Sequence, residues 1–306
     1  MRDVREVIKR TLTRAVERDS WDRNGKLYVS DLKHAIPLAD GGDCRLKLWA
    51  KLRDEPQEPL TSGVELMFGI GDLVHDHLVT LLRDHLPGDW EILGVEERVQ
   101  VNGARGRYDL KLGLPNGETM IVDFKTKRGG AFSYLDYEGP KSPDVRQVQA
   151  YCMADDADRG MLVYVDREGQ NFIRVYEVER DDELVKEDLA TLIWVRGLAQ
   201  KGSPLPLEEF LTPTLSRADN KGKDSLKLTW PWQVDWCHLE DCLCRDRYDD
   251  MGQDEVTKAA DYGKIVGWCR EQDDGSFVLD MKDRWNDTDL RYWIMQRLNA
   301  GEYSRH

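Results

Sequence analysis

The sequence predicts an α/β (α+β) protein in which a central mixed sheet is flanked by helices. Three observations predict it. Runs at 91–102, 105–114, 119–127, 160–166 and 172–179 alternate in hydropathy as strands do. Segments 64–86, 143–156 and 181–200 carry apolar residues at helical spacing. The two kinds are interleaved along the chain, as in layered folds that cover a sheet with helices.

Taken in order, residues 1–20 read as an amphipathic helix, with Val4, Ile8, Leu12 and Val16 four apart. LYVSDLKHA follows, with Ser30 as the expected helix cap. After Gly41-Gly42, the segment CRLKLWAKLRDE reads as another helix, and 54–63 as a loop. In helix 64–86, Ile70, Leu73, Val74, Leu78, Leu81 and Leu82 form the expected apolar stripe, and His75 lies at its edge. A lone histidine there is more often structural than catalytic. Pro87-Gly88 ends the helix.

Residues 91–102 form a strand leading into a hairpin, Arg105–Arg128, whose turn is Pro115-Asn116-Gly117. Strand side chains alternate with period two, so Tyr108, Leu110, Leu112 and Leu114 share one face and Asp109 and Lys111 the other. On the return strand Met120, Val122 and Phe124 oppose Ile121, Asp123 and Lys125. Centring the turn on Asn116 sets Asp109 opposite Asp123, with Cβ atoms about 5 Å apart. Two carboxylates so placed repel unless a cation lies between them. Mg²⁺ is held by just such pairs together with phosphate oxygens, and Lys125 beside the pair completes a site suited to phosphodiester hydrolysis.

Segment 129–143 is a Gly/Pro-containing connection. Helix 143–156 has Pro143 in its first turn and places Gln147 and Tyr151 on one face, with Cys152 inward. Strands 160–166 and 172–179 precede helix 181–200, with Leu184, Leu189, Leu192 and Val195 inward. Residues 202–228 read as a loop or linker, and 262–306 suggest strands and a final helix. The expected division is a helical region at 1–60, a core at 61–201, and a linker with a cysteine-containing region at 202–306.

The 306-residue chain carries a net charge of -14. That counts against a protein that coats nucleic acid, since such binding rests on many phosphate contacts. A local basic island (Arg105, Arg107, Lys125, Lys127, Arg128, Lys141 and Arg146) still surrounds the hairpin and would focus a phosphate backbone onto it. No run approaches the ~18 apolar residues of a membrane span, and the charged N-terminus is unlike a signal peptide. The expectation is a cytoplasmic protein without a membrane partner. Of six cysteines, Cys237, Cys242 and Cys244 fall within eight residues, a metal-site pattern in a chain not expected to form disulfides. Trp230, Trp232 and Trp236 precede them and are read as packing.

The ordered motifs GDLVH (71–75), GRYDLKLG (106–113), IVDFKTKR (121–128) and QVQAY (147–151) resemble the PD-(D/E)XK nuclease superfamily. The likeness is greatest to the branch holding the RecB nuclease domain and the CRISPR-associated RecB-like exonucleases, which also occur singly in bacteriophages. It covers roughly 28–200. The resemblance implies a restriction-endonuclease-like core and an exonuclease that uses Mg²⁺ or Mn²⁺ on single-stranded or end-exposed DNA. The setting would be recombination, repair or phage DNA metabolism, in the host cytoplasm if phage-encoded, with recombination or replication proteins as partners. His75, Asp109 and Asp123, with the backbone carbonyl of Phe124, match the metal ligands. Lys125 matches the catalytic lysine. Gln147 and Tyr151 match a motif that positions the active site or the DNA. Arg107, Lys127, Arg128 and Arg146 have no fixed family role and are candidate phosphate contacts.

Members of this branch often carry an iron–sulfur cluster. Cys44 resembles its lone N-terminal ligand, and Cys237, Cys242 and Cys244 its C-terminal trio, implying [4Fe–4S]. The spacing departs from the family's C-x2-C. This keeps open Zn²⁺ with His238, or no metal, and leaves Cys269 as a rival ligand. The alternative to a nuclease is a DNA-binding accessory or iron–sulfur protein of a recombination or CRISPR-adaptation assembly.

Overall fold

A computed structural model describes residues 25–56, 61–168, 173–206, 214–219 and 224–229, together with Gln233, Cys237, Leu239, 269–271, Asp273 and 277–279. The chain divides into two compact units, Met1–Leu205 and Pro206–His306. Among the described residues no helix is long and apolar enough to cross a membrane.

The first unit is built on a five-stranded mixed sheet in the order β2-β5-β6-β7-β8. Its strands are β2 (Glu91–Val95), β5 (Leu110–Gly113), β6 (Thr119–Lys127), β7 (Arg159–Asp166) and β8 (Ile173–Glu179). The expected central mixed sheet with flanking helices is therefore what the chain forms. β6 and β7 run parallel; the other pairs are antiparallel. A parallel pair needs a crossover. Here it is made by α3 (Gly129–Ser133), α4 (Leu135–Glu138) and α5 (Ser142–Ala154), so the expected plain connection at 129–143 contains two short helices. β6 is covered on both faces, and Met120 to Phe124 are all buried, Asp123 included.

The turn after β5 closes as the Pro115-Asn116-Gly117 signal predicts: Gly117 has φ +85° and its N–H donates to the Leu114 carbonyl. The register pairs Leu110 with Val122 and Leu112 with Met120, so extending it by one sets Asp109 opposite Asp123.

Two expected strands break. Residues 91–102 divide at Glu96-Glu97 into β2 and β3 (Arg98–Val101), and 105–114 divides at Tyr108-Asp109 into β4 (Ala104–Arg107) and β5. β3 and β4 join β1 (Leu27–Tyr28) in a separate three-stranded sheet, order β1-β4-β3. One long hairpin thus crosses from sheet to sheet. Its tip is Asn102-Gly103, with φ +44° and +84°, a hairpin signal in the sequence that the strand assignment passed over. At the crossing Glu96 has φ +53° and β2 carries a register shift between Ile92 and Gly94. A side chain at Gly94 would strike the Tyr108 hydroxyl and the Glu97 carboxylate.

Helix α2 (Ser62–His85) lays Leu78, Val79 and Leu82 over Leu110, Leu112, Leu114, Met120, Val122 and Phe124. The expected stripe is corrected in part. Ile70, Leu73 and Leu81 are exposed and Val79 is buried instead, because at 100° per residue Leu73 lies nearly opposite the face that carries His75, Leu78 and Leu82. On the other face α5 packs against β6 and β7 and against α6 (Asp182–Lys201). Pro143 falls in the first turn of α5 and Cys152 is buried, as expected. Helix α1 (Arg45–Leu52) follows Cys44. Ser30 does not cap a helix. It lies inside a 3-10 turn, Val29–His34, where Tyr28 holds the cap position and donates its N–H to Asp31 at 2.8 Å.

In the second unit the expected loop at 202–228 contains an antiparallel pair, β9 (Thr214–Asp219) and β10 (Asp224–Thr229). β11 (Cys269–Glu271) pairs with β12 (Phe277–Leu279). The helix expected at 1–20, the tryptophans at 230, 232 and 236, and the final helix lie outside the described residues.

Candidate active site

The site forms where the long hairpin changes sheets. Asp109 occupies the bend between β4 and β5, free of the strand ladder but anchored at both ends. Its carbonyl accepts the Glu96 N–H at 3.0 Å, and its Oδ2 accepts the Phe124 N–H at 2.7 Å. The same oxygen lies 3.5 Å from His75 Nδ1, whose ring leans on Phe124 with centroids 5.7 Å apart. Burial pulls the His75 imidazole down, but its hydrogen bond and charge contact with Asp109, and the charge of Asp123, outweigh that and raise it.

Asp123 is buried and its Oδ2 lies 2.7 Å from Lys125 Nζ. The two form a close, buried ion pair. Burial is the largest influence on this carboxyl and raises it; Lys125 pulls it back, and Asp109 pushes it further up. For Lys125 burial acts downward, yet Asp123 and Asp144 outweigh it and hold the amine protonated.

The lysine is also tied to α5. Lys125 Nζ donates to Gln147 Oε1 at 3.1 Å, and Gln147 Nε2 donates to the Tyr151 hydroxyl at 2.8 Å. An ammonium only donates, so the amide of Gln147 has one orientation that satisfies both partners. Burial pushes Tyr151 up to about 12, which keeps it a neutral hydroxyl. Four of the expected residues thus form one chain, Asp123–Lys125–Gln147–Tyr151, and His75 and Asp109 stand beside its acidic end.

Glu96 belongs here too, and the sequence reading missed it. One ligand atom each from His75, Glu96 and Asp109 lies within 4.8 Å of the others. The available signal was the break in alternation at Glu96-Glu97, two acids in succession inside a strand-like run. Burial raises the Glu96 carboxyl, with Arg107 opposing and Asp109 adding to the rise.

The donor set fits a hard divalent cation. His75, Glu96 and Asp109 offer an imidazole and two carboxylates within one ion's reach, and Asp123 adds a buried carboxylate nearby. Asp123 lies outside the close group of three, so Asp109, from the bend before β5, and Asp123, from β6, do not meet at one point with Glu96.

The basic island is mostly neutralised. Arg107 pairs with Glu96 at 2.6 Å, Lys127 with Asp144 at 3.4 Å, and Lys141 with Glu138 at 2.6 Å. Lys127 also lies over the Tyr164 ring, and Tyr164 donates to Asp144 at 2.8 Å. Arg146 braces α5 to α6 through Asp188 at 3.1 Å and also reaches Gln149. Arg128 stands at the cap of α3, its carbonyl accepting the Phe132 N–H.

Of the cysteines expected to bind metal, Cys44 is buried at the cap of α1. Its N–H donates to Asp43 at 2.8 Å, and its carbonyl accepts from His34 Nδ1 at 2.7 Å. Cys237 is half-buried in the second unit. Cys242, Cys244, His238 and the side chain of Cys269 lie outside the described residues.

No protein-family model and no curated protein sequence matches the chain. Solved structures do. An alkaline exonuclease from Laribacter hongkongensis is 14% identical, with a TM-score of 0.44 over 63% of this chain and 93% of its own. A phage-related exonuclease from Haemophilus somnus 129PT is 16% identical, with a TM-score of 0.38 over 58% of this chain and 96% of its own.

Proposed function

We propose that the protein is a metal-dependent DNA nuclease of the PD-(D/E)XK type, RecB-like in branch, which hydrolyses phosphodiesters as an exonuclease on single-stranded or end-exposed DNA. The observation that carries this is the placement of Lys125. A half-buried ammonium is held 2.7 Å from the buried Asp123 carboxylate, beside Asp109 and His75, and is steered by Gln147. A structural ion pair needs neither a second acid opposite nor a histidine reaching in from another helix.

Asp109, Asp123, His75 and the Phe124 carbonyl would hold Mg²⁺ or Mn²⁺, which supplies charge neutralisation at phosphorus and a more acidic water. The chain's own groups do the rest. Lys125, held protonated, donates to an oxygen of the scissile phosphate and stabilises the charge that develops there. Gln147 fixes the lysine's direction and Tyr151 fixes Gln147, so the donor is in place before substrate arrives. The guanidinium heads of the exposed Arg107 and Arg128, and the half-buried Lys127 ammonium, would contact neighbouring phosphates; Arg146, committed to Asp188, braces the helix that carries Gln147. The setting we infer is recombination, repair or phage DNA metabolism.

We infer that Cys44 with Cys237, Cys242 and Cys244 binds a [4Fe–4S] cluster. A brown protein absorbing near ~400 nm supports this; one mole of zinc per chain in a colourless preparation replaces it.

The test is digestion of end-labelled single- and double-stranded DNA with Mg²⁺, Mn²⁺ or chelator. Metal-dependent cutting that disappears in Asp123→Ala and Lys125→Ala is expected. Cutting that survives both variants removes the site assignment. A wild type that binds DNA and never cuts it favours the accessory-protein reading.

A further inference from the structure

We propose, building on the nuclease reading, that the crossover between β6 and α5 is a landing platform for single-stranded DNA, in which Tyr134 and Tyr137 stack on unpaired bases and Arg128 and Arg167 hold phosphate of the same strand.

The crossover begins and ends beside the lysine of the site. It leaves β6 (Thr119–Lys127) at Arg128, and it reaches α5 through Lys141, whose N–H donates to the Tyr164 hydroxyl at 3.1 Å. Tyr164 stands next to Lys125 in the β6–β7 register. In open α/β sheets the carboxyl ends of the parallel strands are where ligands lie.

The inner side of the crossover is tied down. Phe132 and Leu135 are buried, and the Tyr176 hydroxyl donates to the Leu135 carbonyl at 2.8 Å. Arg174 grips Asp136 with two nitrogens, at 2.6 and 3.2 Å, and the Gly129 N–H donates to Glu168 at 3.2 Å. The outer side carries two large rings. Tyr134 is 60% exposed and Tyr137 88%. Among the described residues neither side chain makes a hydrogen bond or a ring contact. The fold therefore makes no use of these rings, yet holds the backbone that bears them. A tyrosine so mounted offers a broad stacking face with only two side-chain torsions to fix.

The arginines supply the charge. Most of the basic island is spent in ion pairs, but Arg128 makes none among the described residues. Neither does Arg167, which the sequence reading did not single out. The β6–β7 register ends with Lys127 beside Asp166, and the Arg167 N–H still donates to the Lys127 carbonyl at 2.9 Å. One step further, Arg128 is still extended, at φ −80° and ψ 154°, and stands beside Arg167. Two guanidiniums so placed repel unless an anion lies between them, and the planar fork of each suits phosphate. A single strand offers phosphates and bare base faces together, whereas a duplex hides its base faces in its own stack. Rings and guanidiniums on one surface fit the single strand.

The test is fluorescence anisotropy of a labelled single-stranded oligonucleotide and of its duplex, in chelator so that no cleavage intervenes. The wild type binds the single strand more tightly. Tyr134→Ala combined with Tyr137→Ala weakens single-strand binding about tenfold and leaves duplex binding unchanged, with circular dichroism showing the variant folded. Tyr134→Phe combined with Tyr137→Phe binds like the wild type, because stacking uses the ring and not the hydroxyl. Arg167→Ala lowers the slope of log affinity against log salt by about 0.7 on the single strand, the share of one phosphate contact. A wild type that does not prefer the single strand overturns the platform. So does a double alanine variant that loses nothing or loses equally on both DNAs, or a phenylalanine variant that loses as much. An unchanged salt slope overturns the arginine pair. Cleavage by a wild type whose DNA binding ignores these changes keeps the nuclease reading and ends this one; the expected losses in a chain that never cleaves do the reverse.

Discussion

The Phe124 amide donates a 2.7 Å hydrogen bond to Asp109 Oδ2. This is a side chain completing a ladder that the backbone has left. β5 pairs with β6 only as far as Leu110 and Val122, and beyond it the chain turns away toward the second sheet. Asp109 takes over the amide that a straight strand would have satisfied through its carbonyl, and its carboxylate is thereby locked at the mouth of the site.

Asp109→Asn and Asp109→Ala therefore separate fold from chemistry. The asparagine amide oxygen still accepts from Phe124 but carries no charge, so stability is kept and Mn²⁺ affinity falls at least tenfold. Alanine leaves the amide without a partner and costs about 1–3 kcal/mol in addition. Urea denaturation and Mn²⁺ calorimetry on both variants check this. An asparagine variant that binds Mn²⁺ like the wild type would falsify the ligand role.

Lys125 neutralises a carboxylate that is 3% exposed, while its own side chain is 21% exposed. Removing one partner of such a pair leaves an uncompensated buried charge, at a cost of about 3 kcal/mol or more. Lys125→Met is expected to melt well below the wild type in chelator and to regain part of the loss when Mn²⁺ supplies the missing positive charge. A melting temperature that Mn²⁺ does not move in this variant would mean the ion does not sit at Asp123.

The hairpin register was legible because Asn116 and Gly117 fix the turn, and alternation of Leu110, Leu112, Met120, Val122 and Phe124 admits one pairing. Helix spacing set Gln147 and Tyr151 on one face, and the resemblance to the nuclease superfamily, not the spacing, implied that this face serves the active site. What alternation does not reveal is a change of sheet. Residues 105–114 keep their period through Tyr108-Asp109, and in 91–102 the phase of Leu93 and Val95 resumes at Val99 after an interruption of only two acids, so each half still reads as part of one strand; the φ of Glu96 and the closeness of Gly94 to Tyr108 mark the crossing. Glu96 was missed for that reason. The partners of the basic island were illegible too. Asp188 lies 42 positions after Arg146, and nothing local links them.

Gly106 makes the place for Tyr151. A Cβ there would lie 2.5 Å from Tyr151 Cε1 and 2.8 Å from a Val29 methyl. Gly106→Ala should cost about 1–3 kcal/mol through overpacking and lower kcat by displacing the tyrosine that steadies Gln147. In a Tyr151→Ala background the same glycine change should cost clearly less, by a double-mutant cycle on urea midpoints. Strict additivity would show that the two residues do not press on each other.

His34 gives the fold an acid sensitivity distinct from the active site. It is buried, and burial, with Lys33 adding to it, lowers its imidazole from 6.5 to about 4 against the opposing pull of Asp43 and Asp31. The ring is neutral, and its Nδ1–H donates to the Cys44 carbonyl, which only accepts. Asp43 is itself held below the usual carboxylate range: burial acts upward, but His34 once it is protonated, Lys33, Lys47 and the Cys44 N–H outweigh it. It therefore stays ionised through the window in which His34 matters. As pH falls below 6.5 the unfolded chain takes up a proton at this histidine, while the folded chain resists until about 4. The unfolded state binds more protons over that interval, so stability falls with pH. Between pH 7 and pH 4 this amounts to about 3 kcal/mol. His34→Asn keeps a donor for the Cys44 carbonyl and removes the titration. Its stability should fall about 3 kcal/mol less than the wild type's over the same range, measured by urea denaturation at each pH. Parallel curves for the two proteins would place the acid sensitivity elsewhere in the unit.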